Sequence, residues 1–108
     1  MQFFQIYYYV PESHLEVTKK AIFAAGAGVL GYYCNCSWET LGQGQYCPLE
    51  GSDPYHGKID ALEKVREYKV ETICTKQNLN KVIAALKASH PYEELAYGII
   101  ELKNTSLK

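Results

Sequence analysis

The sequence lacks a charge of one dominant sign and has no long hydrophobic run. Its 11 Lys and Arg residues and 12 Asp and Glu residues leave a formal net charge of −1. A protein that binds nucleic acid would normally carry a basic excess to meet the phosphates. The longest apolar candidate, residues 21–30, is interrupted by Gly26 and Gly28 and is too short to span a bilayer. We therefore expect neither nucleic acid nor a membrane as a partner.

The beginning of the sequence, MQFFQIYYYV, lacks the basic region and the cleavage site of a signal peptide. A cytoplasmic location is therefore the expectation, and the four cysteines are expected to be free thiols. The sequence also shows no combination of nucleophile, base and orienting group that would indicate an enzyme. The one residue type in excess is tyrosine, with ten copies, and tyrosine suits surfaces that become buried by association.

The first third of the chain predicts a strand followed by a helix. Residues 3–10 are rich in aromatic and β-branched side chains on both faces and end at Pro11. Ser13 and Glu16 fit a capping box at the start of the helix. Gly26 is placed to end it, because glycine adopts a left-handed backbone conformation without strain.

The glycine-rich middle of the chain predicts a hairpin. Residues 32–40 and 43–49 read as two strands, with a turn at Leu41 and Gly42 between them. Residues 50–62 contain further glycine and proline and predict a surface loop.

The last third repeats the strand and helix pattern. Residues 65–74 alternate as a strand does, residues 78–89 have amphipathic helical spacing, and residues 95–102 form a last strand. The order predicts an α+β fold, the split βαβ arrangement of a ferredoxin-like sandwich, with an antiparallel sheet that carries two helices on one face. We expect one domain over residues 1–103 and a flexible tail over residues 104–108.

Such a sheet leaves its second face open. The alternation of the strands places four large side chains on that face: Tyr7, Tyr9, Ile73 and Tyr97. Burying them against other copies of the chain would explain them, and we therefore expect a homo-oligomer.

A glycine motif from Gly26 to Gly31 matches G-x-G-x-x-G literally. In a dinucleotide-binding protein this motif follows a strand and opens a helix. Here a predicted helix precedes it and a strand follows, so we interpret the glycines as a helix stop and a close-packed approach to the hairpin.

Three cysteines form a candidate metal site. Cys34 and Cys36 would share one face of a strand, and Cys47 would lie opposite Cys36 across the predicted hairpin. Together with His90 these thiols could bind zinc or copper. The alternative is that they are small, half-buried free thiols, because a single C-x-C pair is a weak metal signal.

A second candidate site is the sequence from His90 to Glu94. His90, Tyr92, Glu93 and Glu94 lie at a helix-to-strand junction, and with Glu71 they could bind a small ligand or a cation. Glu71 also belongs to a strand face that we interpret as solvated or as part of an interface.

The structural alternative for this stretch is equally physical. His90 would interact with the last carbonyls of its helix, Pro91 would end the helix and Tyr92 would pack beneath. His14 and His56 lie in surface-like sequence and are expected to be solvated.

The sequence resembles the small domain inserted in YqfO-type members of the NGG-interacting-factor-like family, which is itself similar to the trimeric CutA and PII-like proteins. The matching motifs are AGAG at residues 25–28, CSW at 36–38, GQGQY at 42–46, EYKVE at 67–71 and HPYEE at 90–94. In the long family members two flanking parts hold two metal ions, and those parts have no counterpart in this sequence. Cys47 and Gly98 replace a basic and an acidic residue that the family pattern would have.

The resemblance implies a CutA/PII-like fold with a long central hairpin and a trimer whose subunit clefts hold a ligand. We therefore expect a binding or regulatory module without catalytic activity, with a small molecule or another protein as partner. The alternative is a divalent-metal-binding protein, as the link of CutA to cation tolerance would suggest.

Overall fold

The computed structural model of the chain describes residues 2–103 and contains four strands and two helices. The predicted tail, residues 104–108, lies outside the described residues. The elements are β1 (Phe3–Pro11), α1 (Leu15–Ala24), β2 (Ser37–Tyr46), β3 (Glu63–Thr75), α2 (Leu79–Ser89) and β4 (Tyr97–Glu101). Neither helix in this part of the chain is long and apolar enough to cross a membrane.

The strands form one sheet in the order β2-β3-β1-β4, and every neighbouring pair is antiparallel. Both helices cover the same face, since buried residues of α1 and α2 belong to one core with those of β1 and β3. The α+β, ferredoxin-like prediction is confirmed. The long central hairpin consists of β2 and β3, which are joined by residues 47–62.

The predicted division of this hairpin into two strands around Leu41 and Gly42 is wrong. Residues 37–46 form one uninterrupted strand, in which Gly42 pairs with Glu67 and Gly44 with Val65. A side chain at position 44 would overlap the Glu67 carboxylate. Gly44 therefore leaves room for a neighbouring side chain on the sheet, whereas a side chain at Gly42 would meet open space. In sequence, a glycine of this kind looks the same as a turn signal.

The start of α1 also differs from the prediction. A 3-10 turn at Glu12–His14 precedes the helix, so His14 is the N-cap residue and no side chain caps the helix. Ser13 hydrogen-bonds the His14 ring instead, with its Oγ 2.9 Å from Nδ1. The capping box of Ser13 and Glu16 is therefore absent, because the helix begins one residue later than the motif requires.

The end of α1 is as predicted. Gly26 has a φ of +113°, and two hydrogen bonds close the turn: Gly26 N–H to Phe23 O at 3.1 Å and Ala27 N–H to Ile22 O at 3.0 Å. This is the Schellman pattern, which satisfies carbonyls that the helix end leaves free. Gly28 follows with a φ of +82° and lies against the Phe23 ring and the Cys36 amide, so the close-packed approach to the hairpin is also confirmed.

The core lies between the helices and one face of β1 and β3. β1 contributes every second residue to it, as the alternation predicts: Ile6, Tyr8 and Val10 have no exposed surface. Val70 and Cys74 of β3 lie on the same face. The helices fill the space above with Leu15, Ile22, Val82 and Leu86.

The opposite face of the sheet is uncovered, as predicted. Of the four side chains predicted to lie on it, Tyr97 lies on the helix side instead. Tyr97 pairs with Tyr8 and packs against the core, because β4 begins at Tyr97 and its register puts odd-numbered residues on the helix side. We call the uncovered side the open sheet face and define it by six residues of the four strands: Tyr7, Tyr9, Trp38, Glu71, Ile73 and Ile100.

The molecule is elongated, with extents of 48 × 24 × 23 Å and a radius of gyration of 15.0 Å. A compact domain of this length would have about 13 Å. The reason is the far end of the central hairpin, where residues 43–46 of β2 pair with residues 63–66 of β3 beyond the last pair of β1 and β3. Almost the whole of β2 is exposed.

Candidate functional site

A cleft of about 540 Å³ lies where the central hairpin meets the segment that joins α2 to β4. Its floor includes Tyr9 of β1 and Glu67 of β3, and its walls are the loop after β2 and residues 92–96. The volume is in the range of small-molecule sites. Three of the predicted ligand residues line it: Tyr92, Glu93 and Glu94.

Tyr92 is the centre of the cleft. Its ring lies 4.9 Å from the His90 ring, 6.2 Å from the Tyr46 ring and 6.1 Å from the Tyr55 ring, measured between centroids. Its hydroxyl donates a hydrogen bond of 2.8 Å to Glu67 Oε2. Burial, followed by the Glu67 hydrogen bond and charge, raises the pKa of Tyr92 far above its usual value, so the phenol is neutral and acts as a donor.

His90 lies beneath Tyr92 and is buried, but its ring bonds the Tyr9 carbonyl, whereas the structural alternative predicts a contact with the last carbonyls of its own helix. The Tyr92 backbone N–H donates to His90 Nδ1 over 3.1 Å, and His90 Nε2 is 2.7 Å from the Tyr9 carbonyl oxygen. Since Nδ1 accepts, Nε2 carries the proton and donates. Burial lowers the pKa of His90. With both ring nitrogens in use, this imidazole holds the backbone under the cleft and leaves no nitrogen for a metal.

The loop of residues 47–62 is held over the cleft by a few specific contacts. Tyr46 donates its hydroxyl to the His56 carbonyl over 2.8 Å, and the Asp53 N–H donates to Glu93 Oε1 over 2.7 Å. The Tyr55 ring packs edge-on against the rings of His56 and His14, with centroid distances of 4.5 Å and 5.7 Å. The prediction that both histidines are solvated is therefore wrong, because each covers part of the Tyr55 ring and is only partly exposed.

Glu71 lies apart from the cleft, at the centre of the open sheet face. It accepts a hydrogen bond of 2.9 Å from Gln5 Nε2 and forms an ion pair with Lys69, whose Nζ is 3.7 Å from Glu71 Oε1. Glu71 and Glu67 point to the same side of β3, but four residues of strand separate them by about 13 Å. The structure therefore does not bring Glu71 together with Tyr92, Glu93 and Glu94.

The candidate thiol ligands are also separated within one chain. Cys34 and Cys36 flank Asn35, whose φ of +56° makes a bend before β2, so they do not alternate along a strand. Cys47 follows the other end of β2, and a ten-residue strand spans about 33 Å. The predicted pairing of Cys36 with Cys47 depended on the turn at Gly42 and is wrong for the same reason. Among residues 2–103, no three His, Cys, Asp or Glu side chains are grouped closely enough to hold a metal ion.

Three cleft residues were missed by sequence reasoning: Glu67, Tyr46 and Tyr55. The alternation of β3 correctly put Glu67 on the uncovered face, but only the register with β2 places it beside Gly44. Tyr55 lies in a loop without periodicity, so no local pattern could have pointed to it.

Gly98 lies opposite Tyr7 on the open sheet face. A side chain at position 98 would overlap the Tyr7 ring, which lies across the strand at this point. Lys69 Nζ is 5.1 Å from the centroid of the same ring. The Tyr7 ring thus fills the space beside Gly98, and Lys69 lies close to the same ring.

The comparison with known sequences gives one consistent group of relatives, although no family model matches the chain. A protein of Halalkalibacterium halodurans described as GTP cyclohydrolase 1 type 2 homolog is 44% identical over 101 residues. That match covers 94% of this chain but 27% of the relative. The chain therefore spans about a quarter of the length of the curated relatives it matches.

Solved structures agree with both the sequence relation and the fold. A Bacillus cereus protein related to NIF3 superposes with a TM-score of 0.83 at 37% identity, over 95% of this chain and 26% of that one. CutA from Archaeoglobus fulgidus has a TM-score of 0.66 at 16% identity over 94% and 84% of the two chains. B. subtilis GlnK has a TM-score of 0.60 at 13% identity over 100% and 95%. The last two show the fold alone. The chain is thus homologous to about a quarter of the GTP cyclohydrolase 1 type 2 homologs, the NIF3-related proteins, and has the CutA/PII-like form of the ferredoxin-like fold.

Proposed function

We propose that the chain is a non-catalytic binding module that works as a homo-oligomer, with the trimer implied by the CutA/PII resemblance as the assembly. The observation that carries this proposal is the open sheet face. Trp38 is 69% exposed, Ile100 47% and Tyr9 36%, and they lie together on one side of a continuous sheet. Large apolar surface of this kind marks an association site.

The free edge of β2 adds a second reason for association. Within residues 2–103, β2 pairs only with β3, so one side of this ten-residue strand has backbone groups that no other strand of the described chain pairs with. An exposed edge of that length is a template for pairing with another chain. The edge and the open sheet face meet at Trp38, so one oligomer contact can cover both.

The absence of catalysis in this proposal is supported by the chemistry of the cleft. His90, which is buried beneath Tyr92, is held by two hydrogen bonds and has a lowered pKa, so neither of its ring nitrogens is free to take up a proton from a substrate. The Tyr92 phenol is tied to Glu67 with a raised pKa and does not act as a nucleophile near neutral pH. These groups fix a shape and a charge, which is what a binding site needs.

The experiment is a mass measurement by native mass spectrometry and by light scattering at micromolar concentration. The expected result is three chains of 12.2 kDa. Trp38→Asp puts a carboxylate beside Glu71, its cross-strand partner, and is expected to shift the mass towards the monomer. Val17→Asp is the matched control, since Val17 is 49% exposed on the helix side. A wild-type monomer, or equal loss of the oligomer in both variants, contradicts the proposal.

A further inference from the structure

The charge of the cleft is one-sided. Three carboxylates line it, from Glu67, Glu93 and Glu94, and within residues 2–103 no Lys or Arg is among its lining residues. Lys69, which follows Glu67 on the same face of β3, is directed at the Tyr7 ring and at Glu71 instead. An anionic ligand such as a phosphate or a dicarboxylate would meet repulsion here, whereas a cation would be attracted.

The remaining lining is largely aromatic and apolar. Four tyrosines contribute rings or hydroxyls: Tyr9, Tyr46, Tyr55 and Tyr92. Burial and the nearby carboxylates raise the pKa of Tyr46 and of Tyr92, so these rings are neutral near neutral pH. The face of a neutral phenol ring attracts an ammonium or guanidinium group and packs against an aliphatic chain.

The carboxylates differ in how far they are already engaged. Glu67 Oε2 accepts the Tyr92 hydroxyl, and the carboxylate lies over Gly44, which fixes its position. Glu93 accepts the Asp53 N–H through Oε1. Glu94 is exposed at the mouth and has no salt bridge within the part of the chain that the structure describes. The cleft is therefore lined by tyrosine rings and by three carboxylates, of which Glu67 and Glu93 are held by hydrogen bonds. No Lys or Arg of residues 2–103 is among its lining residues.

A bare metal ion does not fit this arrangement. Metal binding needs three or more donor groups within a few ångströms of one point, and no such group of His, Cys, Asp and Glu exists among residues 2–103. The volume of about 540 Å³ is also far larger than one ion requires. The charge therefore calls for an organic cation, in which the apolar body occupies the space between the tyrosines.

We propose that this cleft binds a small organic cation, namely an ammonium group carried on an apolar body, with Glu67 and Glu94 as counter-charges and the tyrosine rings around the body. This names the ligand class of the binding module proposed above and so rests on that function. Tyr9 belongs to both the cleft and the open sheet face, so an oligomer contact on that face would also narrow the cleft.

The test uses three probes with the same phenyl body: phenethylamine, phenethyl alcohol and phenylpropionate. They are titrated into the 15N-labelled protein, and amide shifts are followed by NMR. The expected result is saturable shifts at residues 44–55 and 92–96 for the amine, with affinity at least about tenfold above that for the alcohol, and no binding of the acid. Equal binding of alcohol and amine, or no shift in these segments, would overturn the proposal.

Variants separate the cleft from general surface charge. Glu67→Gln is expected to weaken amine binding about tenfold, the value of one charge contact of about 1.4 kcal/mol. Glu94→Gln is a second variant at an exposed position, in case Glu67→Gln disturbs the fold. Glu101→Gln is the control, since this carboxylate is exposed at the far end of β4, away from the cleft and from the open sheet face, and the variant should bind as the wild type does. If Glu101→Gln weakens binding as much as Glu67→Gln, the amine is attracted by overall charge and the cleft assignment is wrong.

Light scattering on the same samples distinguishes this inference from the proposed function. An oligomer that does not bind the amine overturns the ligand class and leaves the assembly intact. A monomer that binds the amine in the cleft overturns the oligomer and leaves the cation site intact.

Discussion

Three consecutive tyrosines on β1 show how differently the two faces of the sheet are built. Tyr8 points to the helices and is completely buried, whereas Tyr7 and Tyr9 point to the open sheet face and remain partly exposed. The Tyr7 and Tyr9 rings pack edge-on, with their centroids 6.2 Å apart. One residue type thus serves as a core side chain and as a surface side chain within three positions.

The hydroxyl group makes the difference clear. Tyr8 donates to Thr18 Oγ1 over 2.9 Å, and Thr18 in turn donates to the carbonyls of His14 at 2.8 Å and Leu15 at 3.0 Å. Burial raises the pKa of Tyr8 to about 12. The buried Tyr8 hydroxyl therefore has an internal partner, as does every buried side-chain polar atom among residues 2–103, whereas Tyr7 and Tyr9 remain partly exposed to solvent.

The largest expected difference between the faces is in stability. Tyr8→Ala should lower the free energy of unfolding by about 3–5 kcal/mol, because it empties a fully packed site. Tyr7→Ala should cost about 1 kcal/mol, as is usual for a partly exposed position. Urea denaturation of both variants at one protein concentration measures this. If both losses are equally large, the open sheet face is packed as tightly as the core, as an obligate oligomer would make it.

A smaller change in the free energy of unfolding is expected from pH, through His90, which bonds the backbone of β1 at Tyr9. The pKa of His90 is lowered in the fold, so the unfolded chain binds the proton more readily below about pH 6.5. The contribution of His90 is full above that pH and is lost as the pH falls towards its folded pKa, with a slope of at most about 1.4 kcal/mol per pH unit.

The measurement is the urea stability of wild type and His90→Gln between neutral and mildly acidic pH. The difference between the two proteins should shrink as the pH falls. A constant difference would show that His90 does not change its proton affinity on folding.

Removing single hydroxyl groups compares the faces with the least disturbance. Tyr8→Phe should cost about 1 kcal/mol, since one buried hydrogen bond is lost while Thr18 keeps its carbonyl partners. Tyr9→Phe, on the open sheet face, should leave the unfolding midpoint unchanged. Thermal unfolding followed by circular dichroism tests the pair, and equal shifts for both would remove the contrast.

The smallest perturbation is thiol labelling of the native protein. Cys34 and Cys47 are exposed and Cys74 is buried, and burial raises the pKa of the Cys74 thiol. A thiol reagent should modify Cys34 and Cys47 quickly and Cys74 only in denaturant. Peptide mass mapping identifies the labelled residues. Fast labelling of Cys74 in native protein would mean that the covered face opens readily.

The sequence determined the part of the fold that depends on periodicity. Alternation along residues 3–10 placed Ile6 and Tyr8 on the core side, and alternation along residues 65–74 placed Val70 and Cys74 there. The spacing of residues 78–89 gave α2 within one residue. Element order then limits an α+β chain of this length to few topologies. Gly26 ends α1 as expected, because a positive φ is a local property that glycine alone adopts freely.

The tertiary structure decided the site and the course of the central hairpin. In sequence, Gly42 and Gly44 are equally compatible with a turn and with a continuous strand, and only the pairing with β3 selects the strand, in which Gly44 makes room for the Glu67 side chain. The cleft depends on contacts such as Asp53 with Glu93, which join residues 40 positions apart. Loop residues have no repeating pattern, so the sequence determines what the loop can contact, and packing determines what it does contact.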